Sequence, residues 1–363
     1  MAAATSVFVA RLRAGAGTAS LAAAVMAVTL LSGPPASADS LAKQIDRVEA
    51  RVSALESEAE AAAEAYNEAM INLRSIDAKR NRLQARISRA STSMGRLQRS
   101  INAMAVQAYT TGTMSGTAQL LLTKNPREFL DRSTMLSIVA GNQANELRTI
   151  NSIRLSLATS KAEMSAIRKQ RAAVSRQAKR QRDQVSAKLR QAQGLLSSLQ
   201  GKARKAYLAR LAKRRAEQAR AAKAAQKTWA SGKVFAGKAP SAAARRAVTY
   251  ALRQVGKPYV AFMAGERAFD CSGLTQAAYR HAGVFLPHFS KAQRGYVRKV
   301  GWSQMKPGDI MFFFRRGAHH VAIYIGGGRM VHAENPRSDV TITSISAPWY
   351  RARFSGAGRV VGR

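Results

Sequence analysis

A single cysteine, Cys271, stands among the 363 residues, so the chain cannot form an internal disulfide. Its thiol is therefore either a small buried apolar group or a free reactive group. Asp270 is a good N-cap, and the apolar spacing after it predicts a helix that ends at Gly283. A thiol in the first turn of a helix lies at the positive end of the dipole, which lowers its pKa and favours the thiolate. The position indicates a nucleophile, with a structural cysteine as the alternative.

A thiol nucleophile needs a base that takes its proton, and histidine titrates in the right range. Of five histidines, His281 lies about 15 Å along the helix from the thiol, which is too far, and His288 falls in a loop. His319 and His320 open a predicted strand and point to opposite faces, so at most one faces the cysteine. His332, on the next predicted strand, is placed to hold that ring by a hydrogen bond. The alternative is an ordinary core or surface role for each.

The elements that must position these residues are predicted in the C-terminal third of the chain. A helix begins at Pro240-Ser241 and ends near Gly256, and the cysteine helix follows it. Strands are then predicted at residues 309–314, 320–325, 329–334, 340–345 and 357–361. A helix pair followed by consecutive strands predicts an α+β fold with an antiparallel sheet.

Two long helical arms precede this domain. Residues 41–108 carry apolar or small side chains at alternating steps of four and three, interrupted only at Arg80. This heptad pattern predicts a coiled-coil arm roughly 100 Å long. Glycines and threonines near 110–126 interrupt it, and a less regular apolar series runs over 136–199. Two arms joined by a short tip should fold back antiparallel, and a coiled coil between two copies of the chain is the alternative.

The start of the chain has the pattern of a secretory signal peptide. Arg11 and Arg13 precede an uncharged, mostly apolar stretch, and small residues before Asp39 form a cleavage site. An uncleaved membrane anchor is the alternative. We therefore expect a secreted protein that works at the cell wall, outside the cytoplasm.

Four parts follow from these patterns. Residues 1–38 are the signal peptide and residues 39–228 the coiled-coil hairpin, with its tip near 110–126. Residues 229–240 are the linker and residues 241–363 the compact domain. The last part of the hairpin, 202–227, holds ten Lys or Arg residues and one Glu. It is either a solvated helix end or a stalk attracted to a wall or membrane surface.

The net charge of +39 bears on partners rather than on chemistry. An exported protein rarely meets nucleic acid, and no nucleic-acid-binding fold is recognisable, so we expect no nucleic-acid partner. Anionic wall polymers or the outer face of an anionic membrane are the expected counter-surfaces.

Six motifs, in order and spacing, resemble those of the NlpC/p60 family, papain-like cysteine peptidases that cut peptidoglycan stem peptides. The resemblance covers residues 242–363 and rests on Phe269-Asp270-Cys271-Ser272-Gly273-Leu274, Leu286-Pro287, Ser290-x-x-Gln293, Lys306-Pro307-Gly308-Asp309, His320-Val321-Ala322-Ile323-Tyr324-Ile325-Gly326 and Met330-Val331-His332-Ala333.

The resemblance implies a papain-like domain in which Cys271 is the nucleophile, His320 the general base and acid, and His332 the residue that orients His320. It also implies that Tyr259, Ser272 and Ser290 bind substrate, and that the Cys271 backbone amide helps to stabilise the oxyanion. The bond implied is that between γ-D-glutamate and the diamino acid of the stem peptide.

One segment departs from the family pattern. Ala261, Phe262 and Met263 stand where an aromatic residue followed by two glycines is usual. We expect the bulky Phe262 and Met263 to narrow the cleft or rearrange its wall, which would change substrate preference.

The arms resemble, in architecture only, the coiled coils of exported division-associated wall hydrolases. In some of these a membrane complex with an ATP-hydrolysing component binds the arms and relieves autoinhibition. The expected contact in this chain is the apolar tip around Leu120 to Leu122.

Three functions are compatible with the sequence. The first is a secreted cysteine endopeptidase of peptidoglycan, with the arms for regulation or targeting. The second is a catalytically silent wall-binding, adhesion or scaffold protein, and the third is an acyltransferase that uses the same thiol and histidine. We expect no cofactor and no metal, because one cysteine and scattered histidines lack zinc-ligand spacing.

Overall fold

The structure is a computed structural model that describes residues 38–110, 126–231, 239–315 and 319–361. Three predicted features lie wholly or largely outside these residues: the signal peptide, the apolar tip at Leu120 to Leu122, and most of the linker.

Two helices of 73 residues each, α1 (Ala38–Thr110) and α2 (Pro126–Ser198), pack along each other. Their apolar contacts join Val52 and Leu55 to Ala192, Ala59 to Val185, and Ile76 and Leu83 to Met164 and Ile167. Residues further along α1 contact residues earlier in α2, so the two arms form an antiparallel hairpin within one chain. The supercoil of a true coiled coil stays a prediction. None of the described helices is long and apolar enough to span a bilayer.

A third helix, α3 (Gly201–Ala230), joins the base of the hairpin to the C-terminal domain. Near its start, Ala203 and Tyr207 are buried against Ile45 of α1. Near its end, an alanine-lined face and Trp229 pack into the core of the domain. The sequence placed Trp229 at the start of the linker, but its side chain is 7% exposed and its indole Nε1 donates to Thr249 Oγ1 at 2.8 Å. Alanine spacing on one face of this basic helix allows that close packing.

The domain opens with α4 (Ala242–Arg253), whose N-cap Ser241 accepts a hydrogen bond from the Ala244 amide. A short antiparallel pair, β1 (Ala264–Gly265) and β2 (Ala268–Phe269), leads into α5 (Cys271–His281). A single turn of helix, α6 (Ser290–Gly295), follows before the main sheet.

Six antiparallel strands form that sheet, in the order β3-β8-β4-β5-β6-β7. Their bounds are β3 (Val297–Val300), β4 (Ile310–Phe313), β5 (His320–Gly326), β6 (Arg329–Ala333), β7 (Val340–Ser344) and β8 (Phe354–Val360), with α7 (Pro348–Arg351) between the last two. The α+β, papain-like fold class is confirmed. Strand β3 was not predicted from the sequence. Arg298 and Lys299, two of its four residues, are exposed, so this edge strand has little apolar pattern.

Both faces of the sheet are covered. Ile310 and Phe312 of β4 belong to the core that α4 and α5 cover, whereas Met311 and Phe313 belong to a second cluster around Tyr350 of α7. A strand buried on both faces has no alternation of apolar and polar residues, which accounts for the continuous apolar run in β4.

Because Trp229 fixes α3 to the domain core, Trp229→Ala should lower the free energy of unfolding by about 3 kcal/mol. Chemical denaturation of the purified protein measures this. Leu208→Ala, on the same helix at a side chain that is half exposed, should change stability little. Equal losses in the two variants would contradict the burial described for Trp229.

Candidate active site

The only cysteine is the first residue of α5, and its backbone is tightly held. Asp270 is the N-cap of the helix, and its Oδ1 accepts from the Gly273 amide at 2.7 Å. The Asp270 amide in turn donates to the Met263 carbonyl at 2.8 Å. A Cβ at Gly273 would lie 2.2 Å from that carbonyl oxygen, so only glycine permits the approach. The sequence therefore fixes the thiol at the helix N-terminus, as predicted.

A second support for Asp270 comes from a residue that the sequence placed in a loop. His288 Nε2 lies 2.7 Å from Asp270 Oδ1. Burial opposes protonation of this ring, but the charge and hydrogen bond of Asp270 outweigh it and raise the pKa of His288. The hydrogen bond between His288 and Asp270 lies beside the N-terminus of the cysteine helix and orients the cap.

His320 and His332 lie side by side on β5 and β6. His320 Nε2 is 2.8 Å from His332 Nδ1, and His332 Nε2 is 3.0 Å from Thr343 Oγ1. Burial lowers the pKa of His332 well below its usual value, so its ring is neutral. The network is satisfied when His320 donates to His332 and His332 donates to Thr343. His319, in contrast, stacks on Phe314 with 3.8 Å between ring centroids.

The thiol and His320 meet where the N-terminus of α5 approaches the start of β5. The Cys271 sulfur, one ring nitrogen of His320 and a carboxylate oxygen of Glu60 lie within 4.8 Å of one another. The thiol also lies 3.8 Å from the His319 carbonyl oxygen, to which it can donate. The structure thus brings Cys271, His320 and His332 together, as the sequence predicted.

Helix α1 covers this site with three glutamates, Glu56, Glu60 and Glu64, which we call the acidic stripe. Their spacing of four puts them on one face of the helix, and all three are buried. Glu60 Oε1 lies 2.6 Å from His320 Nδ1. Glu56 forms a bidentate salt bridge with Arg337, with nitrogen-to-oxygen distances of 2.8 and 3.0 Å.

The third glutamate, Glu64, forms hydrogen bonds with the two serines predicted to bind substrate. Glu64 accepts from Ser272 Oγ and from the Ser290 amide, each at 2.5 Å. Burial, followed by the charge of Asp270, raises the pKa of Glu64 to about 7. Within the described residues the hydroxyl of Ser290 has no hydrogen-bond partner. A carboxyl group of the chain itself therefore fills this part of the cleft.

Tyr259, the remaining predicted substrate residue, lines a cavity of about 490 Å³ between α1 and the domain. Glu60, His320 and Tyr350 line the same cavity. This space opens directly beside the histidine that faces the thiol.

The departure at Phe262 and Met263 has a role that the sequence did not suggest. Phe262 adopts a φ of 70°, in the region that favours glycine, and its ring packs against Tyr66 of α1 with 4.5 Å between centroids. Rather than filling the substrate cleft, the Phe262 ring contacts the covering helix. Met263 is 37% exposed.

The electrostatics of the covered site are opposite to those expected from the helix dipole. Burial, followed by the charges of Glu60, Glu64 and Asp270, raises the pKa of Cys271 well above its usual value. Burial opposes protonation of His320, but Glu60 outweighs it and raises the pKa of that ring. The expectation of a lowered thiol pKa is wrong for this state. Here the Glu60 carboxylate, and not a thiolate, is the counter-ion of the imidazolium.

Sequence reasoning missed the acidic stripe and Arg337. In the sequence these glutamates look like ordinary charges between heptad positions. The available signal was four glutamates at a spacing of four, Glu56, Glu60, Glu64 and the exposed Glu68, in a strongly basic chain, and nothing local showed which surface they contact.

Residues 256–359 match the model of the NlpC/P60 family. A probable endopeptidase of Mycobacterium tuberculosis is 42% identical over 108 residues, which make up 29% of this chain and 28% of the relative. The peptidoglycan endopeptidase RipA of the same organism is 33% identical over 126 residues, which cover 30% of this chain and 27% of RipA. A crystal structure of an NlpC/P60 family protein from Bacillus cereus shares 31% identity over 34% of this chain and 42% of that one, with a TM-score of 0.32.

The shared segment is thus 28% of the first relative and 27% of RipA. The match to the family model, residues 256–359, holds Cys271, His320 and His332 and leaves out the hairpin and α3. Residues 256–359 of this chain form an NlpC/P60 domain.

Proposed function

We propose that the protein is a secreted cysteine endopeptidase of peptidoglycan, held latent by its own helix α1. The observation that carries the proposal is the convergence of the Cys271 thiol, at the N-terminus of α5, with the hydrogen-bonded pair His320 and His332. The names of the relatives, probable endopeptidase and peptidoglycan endopeptidase, support the reaction and the substrate class.

In the uncovered enzyme, His320 takes the proton of the thiol and the thiolate attacks the carbonyl carbon of the scissile amide. The negative oxygen that forms is stabilised by the Cys271 backbone amide at the helix N-terminus. His320 then returns the proton to the leaving amine, and water releases the acyl group from the sulfur. His332 keeps the His320 ring oriented by accepting a hydrogen bond from its Nε2–H.

Substrate lies where the acidic stripe lies in the covered state. Ser272, Ser290 and Tyr259 contact the stem peptide, and the bond cleaved is that between γ-D-glutamate and the diamino acid. The Glu64 carboxyl group, which accepts from Ser272 Oγ and from the Ser290 amide, supports this part of the proposal, since a carboxyl group of the stem peptide fits the same hydrogen bonds.

Latency has a steric and an electrostatic component. The acidic stripe excludes a peptide from the cleft. Glu60 also disfavours ionisation of the thiol, because its carboxylate pairs with the imidazolium in place of the thiolate. The contact between Glu60 of α1 and His320 favours a latent enzyme over a catalytically silent binding protein, because a silent protein would have no catalytic base to cover.

The partner that lifts α1 binds the far end of the hairpin. Apolar side chains are exposed there on both helices: Val106, Tyr109, Leu130, Met135 and Ile138. They flank the predicted tip contact and fit an apolar surface of a membrane division complex. Peptidoglycan is the substrate, and the positive charge of the chain suits anionic wall polymers.

Glu56→Gln combined with Glu60→Gln should activate the protein, because the variant leaves Arg337 and the His320 ring without the carboxylates that hold α1. We expect at least about tenfold faster release of stem-peptide fragments from purified peptidoglycan than for the unaltered chain. Glu68→Gln, an exposed glutamate of the same helix, is the matched control, and Cys271→Ala is the inactive control. A Glu56→Gln, Glu60→Gln variant as inert as Cys271→Ala, with its fold intact, would contradict the proposal.

Docking of α1 should weaken as the pH rises from about 4.5 to about 7. The pKa of Glu64 is higher when α1 is docked than when it is undocked, so between these two pH values the docked state binds more protons. The free energy that favours docking therefore falls as the proton leaves. The ratio of wild-type activity to Glu64→Gln activity should therefore climb, by at most about tenfold per pH unit, and level off above pH 7. Asp270 and His288 are shared by both proteins, so a flat ratio would rule out Glu64 as the cause.

Tyr109→Ser with Leu130→Ser should leave the activity of the purified protein unchanged and reduce its activation in cells, because both side chains lie far from the cleft. Wall-fragment release by the producing strain measures this. Arg132→Ser, a polar change at the same end, should have no effect. Normal cleavage in cells expressing the double variant would refute the assigned contact.

A further inference from the structure

Three potential metal ligands of different chemistry meet under α1. Glu60 of α1, Cys271 of α5 and His320 of β5 place their ligand atoms within 4.8 Å of one another, and each is at least 90% buried. In the part of the chain that the structure describes, no other group of three acidic, histidine or cysteine side chains meets this geometry. We propose that this group binds one Zn²⁺ ion, which locks the latent state.

The donor set selects the metal. A thiolate, an imidazole nitrogen and a carboxylate oxygen are the three protein ligands that Zn²⁺ uses, whereas Mg²⁺ and Ca²⁺ require oxygen alone. Bond lengths near 2.0 Å to nitrogen and oxygen and 2.3 Å to sulfur separate tetrahedral ligands by roughly 3.3 to 3.6 Å. Glu60 Oε1 and His320 Nδ1, now 2.6 Å apart across a proton, need to part by under about 1 Å.

The protons and charges balance without another reactant. In the metal-free site the thiol carries its proton, and one proton lies between Glu60 Oε1 and His320 Nδ1, which are 2.6 Å apart. Zn²⁺ displaces the thiol proton and the proton on His320 Nδ1. The product is a thiolate, a carboxylate and a neutral imidazole around the dication, so the net charge of the buried site stays zero while two protons leave.

The surroundings complete such a site. His320 donates its Nε2 proton to His332, which is anchored in turn on Thr343, and this fixes the tautomer that leaves Nδ1 free for a metal. The cavity lined by Glu60, His320 and Tyr259 gives an entry path and room for a water as the fourth ligand. Zinc would then bind the nucleophile, the base and the covering helix at once.

The inference rests on the proposed latency, because Glu60 reaches the thiol only when α1 is docked. It makes Glu60 the decisive ligand: without it the domain offers only two protein ligands from the reacting pair. We expect the loss of this ligand to weaken metal binding at least about 100-fold.

The test is a titration of residues 39–363 with Co²⁺, which takes the same ligands and gives a thiolate-to-cobalt charge-transfer band in the near ultraviolet. The wild type and Glu68→Gln should each bind one equivalent, and Zn²⁺ should displace it. Cys271→Ser should abolish the band, and Glu60→Gln should weaken binding at least about 100-fold. Glu60→His, which restores a zinc ligand, should recover it.

An equal affinity in the wild type and Glu60→Gln would place the ion on the thiol and histidine alone and overturn the proposal, as would the absence of a band in the wild type. Failure of Glu60→His to recover binding, with circular dichroism unchanged, would also overturn it. The spectra do not depend on peptidase activity, so cobalt binding by a protein that cuts no peptidoglycan would reject the proposed reaction and keep the metal site.

Discussion

The contact between the Glu60 carboxylate and the His320 ring determines the state of the whole site. It joins two residues separated by 260 positions and buries a charge that only an imidazolium can balance. With this pair formed, the thiol has no cation to support its ionisation, and its pKa rises instead of falling. The thiol, the imidazole ring and the helix N-terminus are all in place, and their chemistry is set by a side chain from outside the domain.

Much of the domain could be predicted because its signals are local. Cap, thiol and small residues follow one another from Asp270 to Gly273, and strands alternate with glycine turns, so spacing predicted the helix that begins at Cys271 and the strands of His320 and His332. The choice of His320 over His319 came from the resemblance to the NlpC/p60 family. The apolar spacing within α1 and within α2 likewise predicted two helical arms. These patterns depend on backbone geometry, which a few consecutive residues define.

The docking of α1 could not be predicted, because a heptad pattern describes the seam between helices and says nothing about the opposite face. Glu60 differs in no local respect from the exposed Glu58 or Glu68. The pKa of the thiol was predicted in the wrong direction for the same reason, since burial by a distant segment exceeds the effect of the helix dipole. Spacing in the sequence could not point to the proposed zinc ligands either, because Glu60, Cys271 and His320 come from three elements far apart in the chain.

The length of the hairpin has a mechanical consequence. Its base is packed on α3 around Ile45 and Tyr207, the acidic stripe lies about 20 Å further along α1, and Val106 lies about 90 Å away. If the hairpin turns about that base as a stiff lever, a sideways displacement of about 12 Å at the far end moves Glu60 by about 3 Å, enough to break its contact with His320. A large, weak movement at the far end of the hairpin would thereby be converted into a short, strong one at the thiol.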